Sequence, residues 1–195
     1  MECFKKIQID NEIYVADTHF QKAIRCNQIA TDETIDDYER SLGIIATIFG
    51  EKGFEAKEHH NLLLKWILNY LSCGKEIKND NKEQDMDYIE DYDYIVASFQ
   101  SDYNINLDEE EMDWHRFITL MNGLSNSENG NCCVLNRIRN LRNMDTKKIK
   151  DSKEREKIEK AKKQVALKKN KIHKQKDFTD DEIKNMEEFD KLLNS

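Results

Sequence analysis

The sequence predicts a mainly α-helical protein: a helical bundle with a small N-terminal β-hairpin and a long charged C-terminal helix. Three observations predict it. Apolar residues recur at spacings of three and four through most of residues 17–142, the period of an amphipathic helix. None of the 195 residues is proline, whereas average usage of ~5% would give about ten. No helix is therefore broken by a missing N–H or a ring clash. An AT-rich gene, which the abundance of Lys, Asn and Ile also suggests, accounts for the same absence. Only residues 4–15 alternate with period two.

In that segment, FKKIQIDNEIYV, Ile7 and Ile9 share a face, Ile13 and Val15 answer them, and Asp10–Asn11 forms a two-residue turn. A lone hairpin is marginal in water, so it must lie on the helices that follow. A short helix is expected over 17–29. A capped start at Thr31–Asp32 opens a second, with Ile35, Tyr38, Leu42, Ile45 and Phe49 in register and Gly50 and Gly53 at its end. Residues 56–72 carry Leu63, Trp66, Ile67, Tyr70 and Leu71. Leu62, Leu64 and Leu68 make this helix apolar nearly all round, the candidate for the centre of the core. Cys73–Gly74 stops it, and a polar loop follows.

A helix over 84–103 has Tyr88, Tyr92, Ile95, Val96, Phe99 and Tyr103 on one side and Asp87, Glu90 and Asp91 on the other. The next is expected to start near Asp108, with Glu109, Glu110 and Glu111 in its first turn, where carboxylates complement the helix dipole. It runs through Trp114, Phe117, Ile118 and Met121 to Gly123. After a loop at 125–131, residues 132–142 form a basic amphipathic helix. Its Val134, Leu135, Ile138 and Leu141 point inward, and Arg137, Arg139 and Arg142 outward. Leu63, Trp66, Ile67, Phe99, Trp114, Phe117 and Met121 are expected to form one buried core.

Beyond Leu141 the apolar content thins. A long helix over 151–173 offers Ile158, Ala161, Val165 and Ile172, with Glu156–Lys160 and Glu159–Lys163 pairs on its surface. Thr179-x-x-Glu182 is a capping box that opens a short helix with Ile183, Met186, Phe189 and Leu193 on one side. The chain therefore divides into a helical core domain with its hairpin, 1–145, and a charged helical C-terminal arm, 146–195. An apolar stripe on a polar tether suits docking in a groove, either of a partner or of its own core. Phe178, Ile183, Met186 and Phe189, with Arg137, Arg139 and Arg142, are the candidate partner-binding residues.

The net charge of -8 hides two opposite fields. From Asp80 to Asp113 there are thirteen acids and one base, Lys82; from Arg137 to Lys176 there are seventeen bases and five acids. Such fields steer association and choose partners without specifying a fold. A basic helix can neutralise phosphates. Residues 145–176, however, lack stacking aromatics and are interrupted by acids, so a solvated charged helix explains them better than nucleic-acid binding.

Five cysteines (Cys3, Cys26, Cys73, Cys132, Cys133) without CxxC spacing argue against a disulfide scaffold or a zinc ribbon. With no signal-peptide pattern and no run of eighteen apolar residues, a cytosolic setting with reduced thiols and no membrane partner is expected. Enzyme chemistry finds little support. His59–His60 beside Glu58 point about 100° apart on a helix and lack HExxH spacing. Glu109, Glu110, Glu111 and Asp113 near His115 suit a helix N-terminus better than an acid/base cleft. Phosphate loop, nucleophile elbow and zinc-ligand set are all missing, so no catalytic, cofactor or metal residues are expected.

The block from Ser98 to Leu167 resembles a bacteriophage family named for gene product fifteen of a siphophage. An aromatic-acidic helix, YDYIVASFQSDYNINL, precedes a core segment with Trp114, His115 and Phe117. A G-L-S loop at Gly123–Ser125 follows. Then comes IRNLRNMDTKKIKD at Ile138–Asp151, in which Met144, Asp145, Lys148 and Ile149 fit the family pattern. The hairpin IDNEIYV and the segment WILNYLSCGKE also fit, so the likeness covers residues 1–168; 169–195 go beyond it. The resemblance implies a tail-morphogenesis protein of long-tailed phages of Gram-positive hosts, encoded near the tape-measure gene. That position is typical of tail assembly chaperones, and it implies no catalytic or cofactor residues. The expected function is a phage tail assembly chaperone in the host cytoplasm. It would bind the tape measure protein and the tail-tube protein, with self-association as a further option. A structural minor tail protein retained in the virion and a nucleic-acid-binding accessory protein using residues 137–176 are the alternatives.

Overall fold

The structure, a computed structural model, describes residues 5–75, 84–126 and 132–168. Strands β1 (Lys6–Ile9) and β2 (Glu12–Val15) pair antiparallel, with Ile7 opposite Tyr14 and Ile9 opposite Glu12. Asp10 turns the chain at φ 50°, a left-handed conformation that Asp tolerates better than most residues. Opposite residues share a face. Ile7 and Ile9 therefore lie with Tyr14, while Ile13 and Val15 lie with Lys6 and Gln8 on the other face and are more than half exposed. The expected match of Ile7 and Ile9 with Ile13 and Val15 is corrected: the two-residue turn sets Glu12 opposite Ile9, and Tyr14 is the residue that goes inward.

Helix α1 (Phe20–Ala30) ends at Thr31, whose hydroxyl donates to Asn27 O. Helix α2 (Asp37–Glu55) starts one turn later than the sequence suggested. Asp36 Oδ1 accepts from Glu39 N at 2.7 Å and Glu39 Oε2 from Asp36 N at 3.2 Å, a reciprocal capping box. Gly50 (φ 65°, ψ -156°) is non-helical and breaks α2 into two stretches, so the first stretch stops there as expected. Gly53 is buried in the last turn, where a Cβ would collide with Phe49. A single 3-10 turn (Lys57–His59) leads into α3 (His60–Leu71). This helix is one-sided: Leu63, Ile67 and Tyr70 are buried, whereas Leu62 and Leu68 are nearly half exposed. Cys73 (φ 54°) and Gly74 (φ 69°) stop it as expected.

Helix α4 (Tyr92–Tyr103) is shorter than expected, because residues 88–91 form a turn ahead of it. Helix α5 (Trp114–Gly123) is capped by Asp113, which accepts from Arg116 N at 3.0 Å. Glu109, Glu110 and Glu111 are not in its first turn. They precede it, in a segment held to the start of α1 by Phe20 N to Met112 O and Trp114 N to Thr18 O, both 3.0 Å. That segment buries Leu107 and Met112, and a helix started at Asp108 would forgo this docking.

Helix α6 (Val134–Asn143) runs antiparallel to α4. Leu135 N donates to Ser98 Oγ at 3.0 Å at one end, and Arg142 meets Asp91 at the other. The α6 N-cap, Cys133, supplies no side-chain acceptor, so Ser98 caps α6 from a neighbouring helix. Ser98→Ala should cost about 1–2 kcal/mol, the range of a lost cap. Urea denaturation measures it, and a loss under ~0.3 kcal/mol would show the contact to be dispensable.

A second 3-10 turn (Thr146–Lys148) leads to α7 (Ser152–Val165), which packs on α6. The long C-terminal helix does not run unbroken to 173. Ala166 is extended (ψ 138°), Leu167 is buried, and Arg142 Nε donates to Val165 O at 2.6 Å. Ile172 lies outside the described residues. These contacts bear on the division at 145/146. A chain ending at Lys150 should keep a cooperative transition but lose about 1–3 kcal/mol, since one buried Leu and three hydrogen bonds, from Arg142 Nε to Val165 O, from Lys162 Nζ to Met144 O and from Lys168 N to Glu90 Oε2, go with the arm. A molten or insoluble product would place α7 inside the core domain.

Two apolar clusters fill the interior. One joins α1, α4, α5 and α6 through Phe20, Ile95, Phe99, Trp114, Phe117 and Leu135. The other joins the hairpin, α2 and α3 through Tyr14, Ile45, Ile48, Leu63 and Ile67. The single core expected from the sequence is thus two, and Trp66 and Leu71, partly buried, pack against both. Trp66 stacks on Tyr70 at 5.4 Å and meets Phe49 at 5.4 Å. Met121 is at the margin of the first cluster.

Candidate functional site

The three arginines of α6 have different surroundings. Arg137 is exposed. Arg139 is partly exposed and forms two contacts with Asp85, at 3.1 and 3.3 Å. Arg142, expected to point outward, points inward. Its side chain is 10% exposed and that of Asp91 1%. Nη1 and Nη2 each reach an Asp91 oxygen at 2.7 Å, a bidentate pair, and Nη1 also donates to Asp85 O at 2.9 Å. With Nε on Val165 O, one guanidinium ties α4, α6 and the end of α7 together. The hydrogen bond to Asp91 holds the Arg142 pKa above its usual value. Asp91, assigned by sequence to an acidic outer face, is the most buried carboxylate among the described residues.

Arg137 stands at the rim of an open groove of about 750 Å³ between α4 and the start of α6. Ala97, Tyr103, Val134, Cys132 and Asp102 are among its walls. Asp102 accepts from Ser125 N at 2.8 Å and from Ser101 Oγ at 2.9 Å, and the Ser125 amide holds its carboxyl below the usual range. The support this contact gives is present above the ordinary carboxylate range and fades as pH falls through the lowered pKa. Tyr103 OH donates to Leu120 O at 2.9 Å and passes so close to Gly123 that a Cβ there would sit 2.8 Å away. Cys132 and Cys133 are free thiols.

A second surface lies at the corner of the hairpin, α2 and α3. Ile13, Phe54 and Leu62 are 45–52% exposed there. Lys52 Nζ of α2 donates to Ile13 O, and His60 Nε2 of α3 to Phe54 O, both at 2.9 Å. Glu51, Glu55 and Glu58 are exposed around them. Beneath the corner, His59 Nδ1 lies 2.7 Å from Tyr14 OH, and its Nε2 lies 3.3 Å from Asp10 Oδ2. Burial, with Glu12 nearby, pushes the Tyr14 phenol up to about 12. His59 and His60 thus hold the hairpin turn and the end of α2, in line with the structural role that their adjacent spacing suggested.

The other candidate constellation is not brought together either. His115 stacks on Tyr70 at 4.6 Å and donates from Nε2 to Tyr70 O at 2.9 Å, while Asp113 caps α5. Among the described residues no three His, Cys, Asp or Glu side chains are grouped as metal ligands. No described helix is long and apolar enough to cross a membrane. Phe178, Ile183, Met186 and Phe189 lie outside the described residues. Sequence reasoning missed the Asp91–Arg142 clasp and the Tyr14–His59 contact. Their partners are 51 and 45 residues apart, and no local spacing signals them.

No curated protein and no solved structure matches the chain. One family model does, that of the Bacteriophage Gp15 protein, over residues 2–167. The match takes in the hairpin, both apolar clusters, the Asp91–Arg142 clasp and α7, and stops at the buried Leu167. By this match the chain belongs to the bacteriophage Gp15 protein family.

Proposed function

We propose that this phage protein is a tail assembly chaperone. It binds the tape measure protein, the tail-tube protein or both, by reversible protein contacts in the host cytoplasm and without catalysis. The observation that carries the reading is the corner surface, where Ile13, Phe54 and Leu62 stay open to solvent on a chain with 36% charged residues. Exposed apolar anchors inside a charged rim are what a protein-binding patch needs: the anchors dominate affinity, and the rim tunes encounter rate and salt response. The likeness of Ile138–Asp151 and the Trp114 segment to tail-module proteins supports the choice of partner. The stripe Phe178, Ile183, Met186 and Phe189 is a second docking element, and Arg137 and Arg139 supply basic contacts.

The reading is tested by pull-down of the tape measure protein at low and high salt. Wild type should retain it at both. Phe54→Asp with Leu62→Asp should lose it, because two charges replace the apolar anchors. Equal retention by wild type and this variant would remove the corner from the interface, and no retention by wild type would remove the tape measure protein as partner. Mass spectrometry of purified virions separates this role from that of a minor tail protein, since a chaperone is absent from the finished particle.

A further inference from the structure

We propose that two copies of this chain pair through the free edge of β1, joining their hairpins into one antiparallel sheet across a two-fold axis at Ile7. The tape measure reading neither requires this pairing nor is required by it.

Hydrogen-bond accounting locates the edge. Opposite residues in an antiparallel pair alternate between those that exchange both backbone bonds and those that exchange none. Ala16 N donates to Lys5 O at 2.8 Å, so Lys5 and Ala16 belong to the bonded set. Lys6 with Val15 and Gln8 with Ile13 therefore belong to the other set, and their N–H and C=O groups point out of the hairpin. On the β2 side α2 covers the edge, with Lys52 Nζ on Ile13 O and Asp17 N on Ile48 O. On the β1 side nothing among the described residues receives the backbone groups of Lys6 and Gln8, and both residues are exposed.

The sequence of that edge fits its own copy. With Lys6 opposite Gln8 of the second copy, and Gln8 opposite its Lys6, two bonded pairs form and every outward group of the strand is used. A register shifted by two residues would set Lys6 or Gln8 opposite a residue outside β1. In the first register Ile7 meets Ile7 of the second copy. Ile7 is only partly buried at the margin of the hairpin cluster, so the contact covers apolar surface that one chain leaves open. Charge agrees. An edge lysine ordinarily discourages a second strand. Here Lys5 falls opposite Ile9 of the second copy, so Lys5 and Lys6 approach the turn whose Asp10 side chain is 82% exposed. The two-fold axis makes that attraction twice.

Cross-linking of the full-length protein tests the register, in a Cys3→Ser background that removes the cysteine nearest the strand. Ile7→Cys sets two thiols directly opposite, with Cα atoms about 4.5 Å apart and within disulfide reach. Lys6→Cys sets them on a diagonal at ~7–8 Å, beyond it. With Cys3→Ser alone as the baseline, mild oxidation should give a covalent dimer of Ile7→Cys about tenfold faster than of Lys6→Cys. Gln8→Pro removes the outward N–H from both strands and costs the hairpin no bond of its own. Sedimentation equilibrium should show its dimer weaker by about tenfold or more, in a chain that keeps a cooperative thermal transition. Equal cross-linking of Ile7→Cys and Lys6→Cys, or a dimer that Gln8→Pro leaves as tight as wild type, would overturn the proposal. So would a wild-type chain that stays monomeric at about 1 mM, because the edge would then await a different chain.

Discussion

Arg142→Met is expected to destabilise the protein by about 3–5 kcal/mol, the range for removing one partner of a buried ion pair. The loss of attraction is the smaller part. Asp91, 1% exposed, would be left charged in the interior without the guanidinium that satisfies both of its oxygens. Asp85 O and Val165 O would lose their donor in the same step. The double change Asp91→Leu with Arg142→Met should recover much of the loss, since apolar groups of similar volume carry no desolvation penalty. Chemical denaturation of the two variants decides it. A single-variant loss under ~1 kcal/mol would mean that water reaches Asp91 freely.

Trp114→Ala should cost about 3–5 kcal/mol as a truncated core aromatic. The indole is 6% exposed, lies 5.6 Å from the rings of both Tyr88 and Phe117, and donates from Nε1 to Leu71 O at 2.9 Å. That hydrogen bond connects the Phe117 cluster with the end of α3, so the substitution removes packing and a link between the two halves of the interior. Thermal unfolding measures the effect, and a loss below ~1 kcal/mol would place Trp114 at the surface.

The elements that could be read from the sequence are those written locally. Apolar spacing found the helices, and Cys73–Gly74 marked a real stop because both residues take positive φ. Cap positions were harder. The carboxylates Glu109, Glu110 and Glu111 after Asp108 suit a first helical turn, yet Asp113 caps α5, because burying Leu107 and Met112 outweighs a helical turn there. The true box, Asp36-x-x-Glu39, lay one turn beyond the Thr31–Asp32 start that composition favoured. Spacing says which side of a helix faces inward but not which neighbour it meets, so Leu63 and Ile67 were grouped with Phe99 and Phe117 although they belong to another cluster.

Long-range polar pairing was beyond sequence reasoning. Asp91 stands in a run of similar carboxylates, and nothing local separates it from Asp87 or Glu90. Only the antiparallel packing of α4 and α6, set by Ser98 at Leu135, brings Arg142 to it. The same packing opens the groove at the other end of the pair. Arg137 and Arg142, five residues apart on one helix, thereby have different surroundings: one rims an open groove and the other holds the fold.

The most direct measurement is co-expression of the phage tape measure protein with and without this chain, followed by the soluble fraction of each culture. Chaperone action predicts that the tape measure protein is recovered soluble only when the chain is present, in complex with it, and that Phe54→Asp with Leu62→Asp abolishes the recovery while the variant itself stays folded. A tape measure protein that is equally insoluble with and without the chain would contradict it.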